Sequence, residues 1–167
     1  MAPSPLGTSP DPLPSDPAPQ LGEQAGDVEP AFVHEVEVRY SETDQMGVAH
    51  HGSYLIYLEE ARTGLMRAHG TPYGDVERAG IGLPVRNISL KYRAPAFYED
   101  RLQVRCWVSA LRSASVTFSY EIYREEQEGS DSHLLSATVE LACVDLSTKR
   151  PRVMPEALHE AFAARLA

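Results

Sequence analysis

The hydrophobic pattern of this chain changes period twice, and that change limits the folds open to it. Val36, Val38 and Tyr40 alternate with Glu37 and Arg39, the two-residue repeat of a half-buried strand. From Ser53 to Ala68 the repeat lengthens. Leu55, Leu58, Ala61, Leu65 and Met66 form an apolar stripe at helical spacing, with Ser53 as N-cap and Gly70 where a left-handed glycine closes a helix. After a loop punctuated by Gly70, Pro72, Gly74 and Gly80, the two-residue repeat returns. Ile88, Leu90 and Tyr92 carry it up to Pro95, then Leu102–Val108, Val116–Ile122 and, past a polar turn around Glu128–Asp131, Val139–Cys143. A short helix near Glu156–Leu166 carries Leu158, Phe162 and Leu166. One long amphipathic helix with five strands predicts an α+β domain, an antiparallel sheet with the helix on one face. A sheet so covered keeps an open edge, which predicts sheet-to-sheet association.

Composition separates the first thirty residues from the rest. They hold eight of the thirteen prolines, five acidic residues and no Lys or Arg, and so carry more than half of the formal net charge of -9. Such a segment has too little apolar surface to offset its ordering entropy. It is expected to be a disordered acidic tail, 1–30, ahead of one domain, 31–167. It lacks the basic and apolar regions of a secretory signal, and no stretch approaches the roughly 18 apolar residues of a membrane span. No basic face is implied, so nucleic acid is not expected as a partner. Cys106 and Cys143 lie in separate strand-like runs. They read as buried reduced thiols of a cytoplasmic protein rather than as a disulfide or metal pair.

The chemistry is concentrated in the connection between first strand and helix, Tyr40–Tyr54. A carboxylate (Asp44), a histidine seven residues on (His51) and a helix start converge there. A helix N-terminus offers unpaired N–H groups and positive potential, here around Gly52, Ser53 and Tyr54, which suits a developing oxyanion. A carboxylate beside it can attack a carbonyl or activate water. That combination points to acyl transfer.

Several spaced motifs sharpen this. Tyr40, Asp44, Gly47, His51 and Tyr54, followed by Leu58-Glu59 and Ala61-Arg62, resemble the hotdog-fold acyl-CoA thioesterases of the 4-hydroxybenzoyl-CoA thioesterase-like family. The likeness continues through Val85–Ala96, Tyr98–Asp100, Leu111–Ser115, Cys143–Asp145 and Lys149–Arg152, and covers about residues 32–163. The resemblance implies a long helix wrapped by a curved five-stranded antiparallel sheet. It implies a homodimer or homotetramer with the site at the subunit interface, Val85 and Arg86 of a second subunit forming a wall. It implies hydrolysis of acyl-CoA, or of an acyl carrier protein thioester, without a cofactor. Asp44 then matches the catalytic carboxylate, and Tyr40 and His51 its companions. The chain departs from many bacterial relatives at Gln45-Met46, beside that loop.

Each residue has a plainer reading. Asp44 could serve only an Asx-turn. His50 competes with His51; adjacent side chains of an extended chain point opposite ways, and the spacing from Asp44 favours His51. The histidine pair lacks a third ligand for a metal. Tyr40 shares a face with Val36 and Val38, where its default is core packing with the hydroxyl at the site edge. Glu59 stands three residues before Arg62, the spacing of an intrahelical ion pair, and is the reserve catalytic carboxylate. Asp44, His51 and Ser53 do not form a serine-hydrolase triad, because the Gly-x-Ser-x-Gly elbow is absent. Lys91 with Arg93, and Arg112 with Ser113 and Ser115, are candidates for the coenzyme A phosphates, set against ordinary solvated charge. The rival readings are a hydratase or dehydratase of acyl thioesters on the same fold, and a non-enzymatic acyl-CoA-binding module.

Overall fold

The chain begins its described course in the strand β1 (Phe32–Glu37) and, after one 3-10 turn (Tyr40–Glu42) and an irregular loop, enters the helix α1 (Ser53–Ala68). The computed structural model describes residues 32–125 and 131–166; the acidic tail and most of the turn before Asp131 lie outside the described residues. A short helix α2 (Tyr73–Arg78) and a two-residue strand β2 (Ile81–Gly82) lead to β3 (Val85–Tyr92). Then follow β4 (Arg101–Arg112), β5 (Ser115–Arg124), β6 (Ser132–Ala142), the short β7 (Val144–Asp145) and helix α3 (Glu156–Ala163).

The five long strands form one antiparallel sheet in the order β1-β4-β5-β6-β3, and β2 pairs with β7. This is the expected α+β architecture. The alternation carries the core: Leu102, Val104, Cys106 and Val108 of β4 and Val116, Phe118, Tyr120 and Ile122 of β5 are all buried. They meet in register, Cys106 opposite Tyr120 and Val108 opposite Phe118. Tyr57, Leu58, Ala61, Leu65 and Met66 of α1 are buried with them, and α3 sets Phe162 edge-on to Phe118 at 5.7 Å. Burial pushes the Cys106 thiol up to about 12, against the opposing influence of the Tyr120 hydroxyl and the Arg62 charge. Both cysteines are buried and free. No helix is long and apolar enough to cross a membrane.

Four local expectations change. β1 ends at Glu37, so Tyr40 enters the 3-10 turn instead of continuing the strand face; it is 77% exposed and packs edge-on against Tyr98, not into the core. Gly52 caps α1 in place of Ser53, whose hydroxyl turns back to donate to the Glu42 carbonyl at 3.1 Å. Leu55, placed on the apolar stripe, is 39% exposed, because the buried face is rotated toward Tyr54 and Tyr57. The glycine-punctuated loop after α1 contains α2, which buries Val76. Pro72 precedes its first turn with extended backbone and Gly80 follows its end at φ 79°.

Candidate active site

The segment between the 3-10 turn and α1 is held by backbone bonds at both ends. Asp44 N–H donates to the Val48 carbonyl and Gly47 N–H to the Asp44 carbonyl, both at 2.9 Å, closing a tight turn. Gly47 sits at φ 77°, a conformation that costs an L side chain energy, which explains glycine at the tip. Ala49 N–H donates to the Ala96 carbonyl at 2.8 Å and His50 N–H to the Glu42 carbonyl at 2.7 Å. Asp44 Oδ1 accepts the Met46 N–H at 2.8 Å, the Asx-turn, and Oδ2 has no partner among the described residues.

A cleft of about 370 Å³ opens beside this turn, lined by Asp44, Val48, Ala49, His51, Tyr54, Tyr92, Arg93, Ala94 and Pro95. Asp44 and His51 therefore face one space. His50 does not line it. Its Nδ1 accepts the Gly52 N–H at 3.1 Å, so it holds the helix start. The two imidazoles do not point opposite ways, since their centroids lie 4.0 Å apart at 38°. The irregular turn, not extended chain, sets their directions. Behind the cleft, Tyr54 accepts the Ala96 N–H at 3.2 Å, and Tyr92 donates to the His51 carbonyl at 3.1 Å while meeting Tyr54 edge-on. Burial pushes both phenols up, so they stay protonated donors.

Beneath this, Glu42 is a buried carboxylate that the sequence reading passed over. It accepts the Arg39 N–H at 2.8 Å, Arg39 Nε at 2.9 Å and the Tyr57 hydroxyl at 2.7 Å. Burial opposes its charge, but those three donors outweigh it and hold the carboxyl below its ordinary range. The spacing Arg39-x-x-Glu42 was the only signal available for it.

The remaining candidates divide. Arg93 lines the cleft and reaches Ser136 Oγ at 3.4 Å; Lys91 is exposed two residues before it on the same strand course. Gly52 and Ser53 carry the helix start, but their N–H groups already bond His50, at Nδ1 and at the carbonyl (2.8 Å). Tyr40 lies outside the lining. Arg112, Ser113 and Ser115 sit at the β4–β5 turn, about 36 Å along β4 from its Arg101 end, where Asp100 bonds the chain just ahead of the Asp44 turn. One chain does not bring them to Asp44. Val85 and Arg86 begin β3, the end away from Tyr92, and Arg86 pairs with Glu140 at 3.3 Å.

Glu59 is elsewhere too. It lines a second cleft of about 380 Å³ with Leu55, Leu58, Arg62, Tyr73, Leu83, Pro84, Val85, Ile88 and Val139, and its Oε1 lies 3.6 Å from Arg62. Among the described residues, no three His, Cys, Asp or Glu side chains are close enough to hold a metal.

Known proteins share this fold. The family model described as the thioesterase-like superfamily matches residues 38–162. An acyl-CoA thioesterase of Haemophilus influenzae, YbgC, is 32% identical over 132 residues, 78% of this chain and 93% of that protein. The crystal structure of a DHNA-CoA thioesterase from Staphylococcus aureus superposes with a TM-score of 0.73 at 31% identity, covering 80% of this chain and 89% of that one. A hypothetical protein of Thermus thermophilus, TT1821, does so with a TM-score of 0.74 at 34% identity, covering 80% and 98%. With the match running from the end of β1 into α3 and the sheet order intact, the chain belongs to the thioesterase-like superfamily and has its hotdog fold.

Proposed function

We propose that this protein hydrolyses acyl-CoA thioesters, with Asp44 as the carboxylate that acts at the carbonyl. The observation that carries this reading is that Asp44 and His51 open into one cleft at the N-terminus of α1. Asp44 Oδ2 attacks the carbonyl carbon, or takes the proton of a water that does. Either addition leaves a tetrahedral oxyanion, which the positive end of α1 favours. Its collapse breaks the carbon–sulfur bond and releases the coenzyme A thiol; where Asp44 itself attacked, water then opens the acyl–Asp44 anhydride and restores the carboxylate. One water is consumed and a free carboxylic acid is left. His51 serves the carbonyl oxygen or the departing sulfur with a proton. The Gly52 N–H, on its long bond to His50, is the amide most easily given over to the substrate. Tyr40, outside the cleft lining and edge-on to Tyr98, takes no part in these steps.

Arg93, with Lys91 beyond it, supplies cations for the coenzyme A phosphates. A wall is still missing on the β3 side. β3 is an edge among the described strands and exposes Val85, Ile88 and Tyr92. Antiparallel pairing of β3 with the same strand of a second copy, centred near Ile88 and Ser89, would set Val85 and Arg86 of that copy beside Tyr92 and Arg93. We therefore propose a homodimer, or a dimer of dimers, as the working enzyme.

A thiol-release assay tests the activity over aromatic, short and medium acyl-CoA esters and an acyl carrier protein thioester. Release from at least one is expected. Binding without release would leave a binding module, and hydration of an unsaturated ester without release a hydratase.

A further inference from the structure

Arg62 is buried to 7% exposure near the middle of α1, and its guanidinium makes no hydrogen bond among the described residues. Nε is enclosed without an acceptor. Among the described residues its one ion pair is the long one to Glu59, whose side chain is mostly exposed. Burying a guanidinium N–H without an acceptor is costly, and the long contact at Nη2 does not supply one to Nε. Nearby, the Tyr120 hydroxyl is also buried, beside the Cys106 thiol and close enough to feel the Arg62 charge. Arg62 lines a cleft whose walls, apart from Glu59 and Tyr73, are apolar, Leu55, Leu58, Leu83, Val85, Ile88 and Val139 among them.

That cleft shares its two bounding elements with the catalytic one. Both run between α1 and β3: Tyr54 and Tyr92 belong to the first, Leu55, Leu58 and Arg62 with Ile88 and Val85 to the second. From Tyr54 to Arg62 is eight helical residues, about 12 Å of rise. An acyl group whose thioester lies by Asp44 and whose body follows the α1–β3 crevice would bury its middle on leucine, isoleucine and valine. Its far end would arrive at Arg62.

We propose that Arg62 is a specificity-determining residue that selects acyl thioesters of medium length bearing a polar oxygen at the end remote from the thioester. A plain hydrocarbon end leaves the guanidinium with only its long contact to Glu59; a hydroxyl or carboxylate there supplies an acceptor at hydrogen-bond distance. This rests on the thioesterase reading above and adds the substrate class.

The test compares decanoyl-CoA, omega-hydroxydecanoyl-CoA and the mono-CoA ester of sebacic acid by thiol release, with the full chain. The wild-type protein is expected to prefer an oxygenated ester over decanoyl-CoA by about tenfold or more in kcat/KM, the scale of one hydrogen bond to a charged group. In Arg62→Met that ratio should collapse toward one, the loss appearing in KM for the oxygenated ester. A wild-type ratio near one overturns the inference and leaves hydrolysis intact. So does an Arg62→Met variant that loses activity on every ester by the same factor, the mark of a purely structural arginine. Should Arg62→Met fold poorly, the wild-type ratio still decides, together with Arg62→Lys, which keeps the charge and loses the planar fork. No thiol release from any of the three overturns this inference, while the hydrolysis reading is decided separately by the wider panel above.

Discussion

The hydroxyl of Tyr57 donates a 2.7 Å hydrogen bond to Oε2 of Glu42, tying α1 to the turn that carries Asp44. Glu42 is 8% exposed and holds three donors on its carboxylate, while its backbone carbonyl accepts His50 N–H and Ser53 Oγ. One residue thus fixes both the entry to the Asp44 turn and the start of α1. Glu42→Gln should lower stability by about 1–3 kcal/mol, since it weakens hydrogen bonds to a buried charge. Tyr57→Phe, which removes one donor, should cost about 1–2 kcal/mol. Urea unfolding measures both, and a loss below about 0.5 kcal/mol in each would make the network dispensable, at the level of an ordinary surface change.

The same carboxylate sets an acid limb. Its folded pKa lies below the unfolded one, so its contribution is fully present above the unfolded value and is lost as pH falls through the folded value. Stability should therefore decline from about pH 5 downward, and Glu42→Gln should flatten that part of the curve. Melting temperatures of the two proteins in a pH series give the comparison. Parallel acid limbs would assign the decline to other carboxylates.

The sheet and the main helix were legible because their periods are clean: each residue of Val116, Phe118, Tyr120 and Ile122 is buried as alternation requires, and α1 spans Ser53–Ala68 as read. The turn was less so. Tyr40 continues the alternation of Val36 and Val38 in sequence, yet the 3-10 turn ends the strand after Glu37, and no side-chain period announces that. Glu42 looks like a surface acid until Tyr57, fifteen residues on, supplies its partner. Arg112 and Ser115 show the other limit. A motif fixes residue types, but only the strand length separates them from Asp44.

Asp44→Asn should abolish chemistry and spare the fold. Met46 N–H bonds Asp44 Oδ1, which an amide oxygen replaces, so the Asx-turn survives. Losing the charge on the other oxygen removes nucleophile or base, and kcat should fall by on the order of 100-fold or more. An unchanged melting temperature is expected alongside. Retention of at least a third of the wild-type kcat would take Asp44 out of the mechanism and bring Glu59, in the neighbouring cleft, to the next test.

The two histidines should separate by experiment as they do in space. His51→Ala, on the cleft, should lower kcat/KM by about 10- to 100-fold if it moves or holds a proton in the reaction. His50→Ala removes the acceptor of the Gly52 N–H, a half-exposed bond that water replaces, and should cost no more than about 1 kcal/mol of stability. Steady-state kinetics on both variants decide it. Equal losses would mean that the tilted pair acts as a unit through its 4.0 Å contact.

Assembly gives the last expectation. β3 pairs with β6 on one side only among the described strands, and its exposed residues include Val85, Ile88 and Tyr92. A free eight-residue strand with apolar side chains beside it invites pairing with another chain, and no proline or bulge interrupts it beyond Asn87. Pairing also shelters the Asp44 cleft, and a water-poor site is where helix-end dipoles act strongly. Light scattering at micromolar concentration should therefore give twice the chain mass or four times it. Ile88→Lys, which places a charge on the β3 edge, should shift the mass toward the monomer and lower turnover together. A monomer that keeps full activity would rule out the shared wall and confine catalysis to the single-chain cleft around Asp44 and His51.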